Sequence, residues 1–427
     1  MNHTVEEIRL KNGARGLLVD VPGATTMSMQ FHFRAGNRYA KSKDIEQVAH
    51  IMEHMAFGAN SQYSTEQFEF EFTKNGAYRN AYTSDMSMVY EADCADFEWD
   101  RILDLQKIAI CKPKFNTDEL EAEKGNIRSE LTNYLNDHQR ILWPRVQQLL
   151  GEDVLTYRQS LPTISNVSLA DVREHHRRTH TTRNMRFVIA GKMMGRKNEI
   201  RQQIEDFQLP EGERFEVPRD TLTKANPSII RRKDATNLTF GLFMALSREL
   251  SDEELDAMHY LNHILTGTMH SRIFGAARKK GLAYNINSYA DVGFYDSGWD
   301  ITGQVNHEAA PELFDIITRE IKHVLNGKIS ETEIEAAKSF ALGRYQMGAQ
   351  TVSQISSFYT GRYFADGFIK DYAKVPEMIK NVTVERMVET ARNFIAEDKW
   401  VLAAVSSGEK QEIVDLNDKV ATLFEPR

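Results

Sequence analysis

Cysteine is scarce in this chain, with only Cys94 and Cys111 among 427 residues. That excludes a disulfide scaffold, and neither residue sits in a metal-binding spacing. Positive charge is not in excess either: 53 Lys+Arg against 61 Asp+Glu leave a net charge of −8, and no dense basic run occurs. Nucleic acid is therefore not an expected partner. No apolar run reaches the roughly 18 residues of a membrane span, and Met1 to Leu18 has no long apolar core. No membrane association, signal peptide or transit peptide is expected, and the expected setting is reducing and cytoplasmic. What remains is a sizeable globular protein, 41% hydrophobic and 27% charged, long enough for two or more domains with full cores.

The chemistry concentrates in His50-Ile51-Met52-Glu53-His54. Two imidazoles and a carboxylate at this spacing share one helical face, as in a zinc hydrolase. At about 100° per residue, Ile45, Val48, Ala49, Met52, Met55 and Ala56 form the core-facing arc, and His50, Glu53 and His54 lie opposite it. The spacing alone fits a solvated polar face as well as a metal site. Asp44 with Gln47 reads as a capping box, and Gly58 with Asn60 as a stop, which predicts a helix over about 44–57. A catalytic zinc takes three protein ligands plus water, so a third ligand must come from elsewhere. A second strong helix begins near Asn116, Thr117 and Glu119, and on it Glu123 and Glu130 stand two turns apart on one face.

With these residues the chain resembles the pitrilysin/insulinase family of inverted zinc metallopeptidases, in particular its short two-domain members related to the mitochondrial processing peptidase. The family pattern is His-x-x-Glu-His followed by a helix bearing two glutamates in this spacing. The resemblance implies one zinc per chain held by His50, His54 and Glu130, Glu53 as general base, and Glu123 supporting the site. Gly36-Asn37-Arg38 resembles the family's segment before the motif helix. Asn80-Ala81-Tyr82-Thr83-Ser84 resembles its edge strand, which makes Asn80 and Ala81 substrate-binding candidates. Gly281-Leu282-Ala283-Tyr284 resembles its C-terminal substrate-binding segment. One departure stands out: the family places an arginine where this chain has Ala277, and Arg278 fits that role only with one residue deleted in the intervening turn. By the resemblance, Tyr284 and Arg278 would hold the substrate carbonyl or the developing oxyanion.

The chain also echoes itself. A Pro- and charge-rich stretch at 209–227 divides it near the middle, giving an N-terminal catalytic domain at 1–208 and a degenerate, substrate-binding copy at 228–427. His50-x-x-Glu53-His54 returns as His259-x-x-Asn262-His263, and Leu120-Glu121-Ala122-Glu123-Lys124 as Ile334-Glu335-Ala336-Ala337-Lys338. In the second copy Asn262, Ala337 and Arg344 replace Glu53, Glu123 and Glu130. An amide is no general base and arginine no zinc ligand, so this copy reads as silent, with His259 and His263 structural. His176 and His180, flanked by Arg173, Arg177 and Arg178, read as a solvated basic helix face.

The expected fold is α+β, in two similar halves, each a mostly antiparallel sheet covered by helices on one face. Strands are predicted over 16–21, 27–33, 77–83, 87–92 and 186–190, then 238–245, 285–290 and 401–406; helices over 44–57, 64–74, 95–110, 117–149 and 168–180. Small polar residues along Arg79 to Ser84 suit pairing with an extended peptide. The expected activity is hydrolysis of unfolded or extended peptides by a zinc-dependent endopeptidase. The resemblance implies that two chains associate, so that Tyr284 of one completes the zinc site of the other; a homodimer is expected because one chain carries both sets of elements, with a heterodimer of related chains as the alternative. The alternative function is a non-catalytic scaffold or partner subunit of the same family.

Overall fold

The computed structural model describes residues 2–425, which fall into two compact units, each built on one sheet. The first comprises the chain up to Asn133, Tyr157–Pro218 and Met347–Lys370. Its strands are β1 (Thr4–Arg9), β2 (Arg15–Asp20), β3 (Thr26–Phe33), β4 (Tyr78–Thr83), β5 (Met88–Ala95) and β6 (Arg186–Gly191), ordered β1-β2-β6-β3-β5-β4. Only the β2–β6 pair is parallel. The second unit comprises Tyr134–Thr156, Arg219–Gln346 and Asp371 onward. Its strands are β7 (Ser228–Arg231), β8 (Leu238–Leu246), β9 (Ile286–Val292), β10 (Ser297–Val305) and β11 (Lys399–Ser406), ordered β7-β11-β8-β10-β9, with β7–β11 parallel. Setting β2, β3, β4, β5 and β6 against β7, β8, β9, β10 and β11 reproduces the same order and the same single parallel pair. The internal echo of the sequence is thus a repeated topology, with β1 as an addition to the first copy.

Strand alternation sorts the helices onto two faces. On β3, Phe33 stacks on His180 at the end of the helix Leu169–Thr179, with ring centroids 4.3 Å apart. The next side chain back, His32, points the other way and stacks on Phe364 of the helix Val352–Ala365. The second unit does the same. Phe240 of β8 packs on Phe314 of the helix Ala310–Leu325, while Phe243 meets Trp143 of the helix His138–Leu150. In each unit, then, the second face of the sheet is covered by a helix drawn from the other half of the sequence.

Two local expectations need correction. The helix predicted over 117–149 is two helices, Thr117–Tyr134 and His138–Leu150, because the Asp137 side chain accepts from the backbone N–H of Gln139 and Arg140 and starts a new one. The helix predicted over 44–57 is shorter, Val48–His54, after a single 3₁₀ turn at Lys43–Ile45. Asp44 does not cap it; Ser42 caps the 3₁₀ turn, and Gln47 directly precedes the helix without capping it.

Candidate active site

The motif helix is anchored by one apolar face and leaves the other for chemistry. Val48, Ala49, Ile51 and Met52 are buried, so His50, Glu53 and His54 emerge on the opposite side. The helix Thr117–Tyr134 is tied alongside it by Glu119. Its Oε1 accepts from the backbone N–H of Ala59, just past the motif helix, at 3.1 Å and from the Thr65 hydroxyl at 2.5 Å. Leu120, Ile127 and Leu131 of that helix are buried, which turns Glu123 and Glu130 toward the histidines.

The three sequence-predicted ligands come together. His50, His54 and Glu130 are the one group of three among the described residues suited to a metal ion, with their ligand atoms all within 4.8 Å of one another. His50 Nε2 lies 3.6 Å and His54 Nε2 3.4 Å from the same oxygen, Glu130 Oε2. Both rings are held from behind: His54 Nδ1 donates to Glu123 Oε2 at 2.9 Å, and His50 Nδ1 to Gln47 Oε1 at 3.0 Å. With each Nδ1 carrying the proton, both Nε2 lone pairs face Glu130. Asn126 Nδ2 donates to Glu123 Oε2 at 3.0 Å and orients it further. A two-histidine, one-carboxylate set converging on one point, with both histidines fixed in the metal-binding tautomer, fits a zinc ion with room for water.

Glu53 lies beside this cluster, its Oε2 4.0 Å from His50 Nε2 and 3.5 Å from the Thr83 hydroxyl at the end of β4. Burial pushes its carboxyl upward, while His50 and His54 pull it back. β4 is an edge strand of its sheet, paired on one side only. Asn80 donates to Glu91 Oε1 at 3.1 Å, and Ala81 is next in the strand. Gly36 explains itself here: Asn37 N and Arg38 N donate to the Ser84 and Asp85 carbonyls just beyond β4, and a Cβ on Gly36 would stand 2.2 Å from Ser84 O.

Arg278 and Tyr284 belong to the second compact unit. The Arg278 guanidinium sits 4.7 Å above the Tyr284 ring, and Tyr284 is 82% exposed. Ala277, at the family's arginine position, is buried in the core. Asn262 Oδ1 accepts from the Trp299 indole at 3.0 Å, His263 stacks on Phe340 with centroids 4.1 Å apart, His259 lies near Tyr289, and Arg344 is exposed. The reading of His176 and His180 as a solvated face is wrong. His180 is fully buried and bonded through Nε2 to the Tyr90 hydroxyl, and His176 Nε2 donates to Ile110 O. Burial lowers the His176 pKa to about 4, so the ring is neutral and spends its proton on a carbonyl rather than on solvent.

Residues 17–153 match Insulinase (Peptidase family M16), and residues 166–340 match the Peptidase M16 inactive domain. An uncharacterized zinc protease of Rickettsia felis is 24% identical over 91% of this chain and 94% of its own length. Another from Bacillus subtilis is 23% identical over 94% and 98%. A shorter stretch, 31% of this chain and 29% of that protein, is 31% identical to the mitochondrial-processing peptidase subunit beta of Caenorhabditis elegans. Among solved structures, a protease from Helicobacter pylori superposes with a TM-score of 0.84 at 16% identity, covering 95% of this chain and all of that one. The fold is thus that of two-domain M16-like proteases, and the names of the relatives point to a zinc peptidase. With both halves matched in chain order, the chain belongs to the pitrilysin/insulinase family of zinc metallopeptidases.

Proposed function

We propose that the protein is a zinc-dependent endopeptidase that hydrolyses unfolded or extended peptides. The observation that carries this reading is the convergence of His50 Nε2, His54 Nε2 and Glu130 Oε2 with Glu53 beside them. Zinc held by these three would polarise the scissile carbonyl and acidify a water in its open position. Glu53, which is not among the three ligand residues, would serve as the general base and then the general acid, its carboxylate accepting a proton and handing it to the leaving amine. Glu123 and Gln47 keep the two imidazoles in register. Asn80 and Ala81 on the free edge of β4 would receive an extended substrate as an added strand, which selects against folded proteins.

Tyr284 and Arg278 are assigned to the substrate carbonyl or its oxyanion, and the working unit is a dimer in which one chain supplies them to the zinc site of the other. A homodimer is the simpler form because one chain carries both sets of elements. The mitochondrial relatives are named as subunits, which favours pairing of related chains as the alternative. The test is metal analysis and a fluorogenic peptide assay on the purified chain. One zinc per chain is expected, with activity lost to a chelator and restored by zinc, and with His54→Ala and Glu130→Ala both emptied. Full zinc occupancy in either variant would remove that residue from the ligand set, and a zinc-bound parent inert toward every unfolded peptide would favour the non-catalytic subunit.

A further inference from the structure

Behind His50 runs a short chain of buried polar groups that no zinc or substrate contact explains. Gln47 is 4% exposed, Glu46 9% and Ser160 3%. Gln47 Oε1 accepts from His50 Nδ1 at 3.0 Å, and Gln47 Nε2 donates to Glu46 Oε2 at 2.9 Å. The Ser160 hydroxyl, on the helix Tyr157–Asn166, donates to the same Glu46 oxygen at 2.9 Å. The direction of these bonds is fixed from the far end. A carboxylate only accepts, so the Gln47 amide must turn its NH₂ toward Glu46 and its carbonyl toward His50. A carbonyl only accepts as well, so His50 must carry its proton on Nδ1, and the Nε2 lone pair is left facing Glu130.

We propose that Glu46 and Gln47 are positioning residues that set the metal-binding tautomer of His50, the glutamine relaying to the imidazole the acceptor polarity of a carboxylate one residue further back. The two histidines are therefore supported differently. His54 donates directly to a carboxylate, Glu123, whereas His50 donates to a neutral amide whose orientation a buried carboxylate enforces. With Glu130 and Glu53 already beside Nε2, the relay keeps a further carboxylate out of direct contact with the His50 ring while giving it the same protonation pattern. Losing such outer partners typically costs 10- to 100-fold in metal affinity. This inference rests on the zinc reading above.

The test has two readouts on the full-length protein: zinc affinity by chelator competition, and the His50 tautomer from imidazole ¹⁵N shifts of the zinc-free protein held at pH 8. In the parent, the His50 proton is expected on Nδ1. Gln47→Met, close in shape but with no strong acceptor, is expected to bind zinc about 10- to 100-fold more weakly and to move the proton to Nε2, with Glu46→Gln falling between. The double variant Glu46→Gln/Gln47→Glu exchanges amide and carboxylate: the bond between the two side chains reverses and the Ser160 hydroxyl turns from donor to acceptor, but His50 Nδ1 still faces an oxygen, so the variant should recover both the tautomer and the affinity. Rescue by the swap separates a relay from a packing role. Unchanged zinc affinity and an unchanged tautomer in Gln47→Met, or a double variant no better than Gln47→Met, would overturn the proposal. A parent that fails to bind zinc would sink the metal reading instead, while the tautomer comparison would still decide for or against the relay.

Discussion

At the scale of single residues, what makes two histidines into ligands is the partner on the far side of each ring. Glu123 holds His54 Nδ1 at 2.9 Å, so Glu123→Ala should leave the fold intact but weaken zinc binding about 10- to 100-fold, read by chelator competition. Affinity equal to the parent would reduce Glu123 to a surface carboxylate. His263 is built otherwise: its ring stacks on Phe340. His263→Ala should therefore keep one zinc per chain and show its cost as a lowered melting temperature; a drop in zinc content would show that the second copy binds metal. The His-x-x-Glu-His set was legible because helical periodicity alone puts it opposite Ala49 and Met52. Glu130 was legible only through resemblance, since nothing local distinguishes it among so many carboxylates. Gln47 was missed because its spacing from Asp44 imitates a capping box, when its side chain turns instead to His50. His176 and His180 were misread because flanking arginines suggest solvent, whereas Arg173 and Arg178 reach back to the Phe115 and Tyr39 carbonyls and leave the rings to pack.

At the scale of elements, the site depends on the motif helix packing against β4 and the helix Leu169–Thr179. Ile51 is fully buried, so Ile51→Ala should cost about 2–5 kcal/mol in chemical unfolding. In the second unit, Glu333 and Arg272 form a two-pronged pair at 2.6 and 2.7 Å, joining the helices Arg272–Lys279 and Glu331–Met347. The guanidinium holds the Glu333 carboxyl at about 2, below its ordinary 4.5. A folded-state value below the unfolded one makes the stabilisation complete above about pH 4.5, and falling pH removes it as Glu333 protonates near 2. With solvent screening at a partly exposed pair, Glu333→Gln should cost about 1 kcal/mol at pH 7, and the gap to the parent should narrow at pH 3. A gap unchanged between the two pH values would show that the pair does not stabilise through charge. The strands that sequence revealed carry a clear pattern: β6 and β8 are nearly continuous apolar runs, and β3 alternates Met27, Met29, Phe31 and Phe33 with Ser28, Gln30 and His32. β1, β7 and β10 were missed, β7 because it is only four residues long. Glu6, Glu7 and Arg9 make β1 look like a surface loop, and Gly298 and Gly303 interrupt the apolar alternation of Trp299 and Ile301 in β10.

At the scale of the whole molecule, the repeated strand order could be anticipated from the echo of the two motifs, but the crossing of helices could not. His138–Leu150 fell almost wholly within the helix expected over 117–149 and Val352–Ala365 was not anticipated; in either case only tertiary packing decides which sheet the helix covers. A fragment ending at residue 208 lacks Val352–Ala365, and the face of β3 and β6 bearing His32 would be bare. Such a fragment is expected to be poorly folded by circular dichroism and hydrogen exchange, and a cooperatively unfolding fragment would show the crossing to be dispensable. The dimer proposal has its own test. Glu53→Gln and Tyr284→Phe chains, each nearly inactive, should regain activity when mixed under conditions where tagged chains co-purify, because a mixed dimer pairs one intact Glu53 with the partner subunit's Tyr284. Co-purifying mixed dimers without activity would place Tyr284 in its own chain's site or outside catalysis.

The most direct measurement is made on one substitution, Glu53→Gln, with zinc content and peptide hydrolysis determined on the same preparation. Glutamine keeps the shape of the side chain but cannot accept the proton of the attacking water, while His50, His54 and Glu130 are untouched. The expected result is one zinc per chain, as in the parent, with cleavage of an unfolded fluorogenic peptide reduced by about 100-fold or more. Cleavage near the parent rate at full zinc occupancy would contradict Glu53 as the base, and with it the catalytic mechanism built on this site.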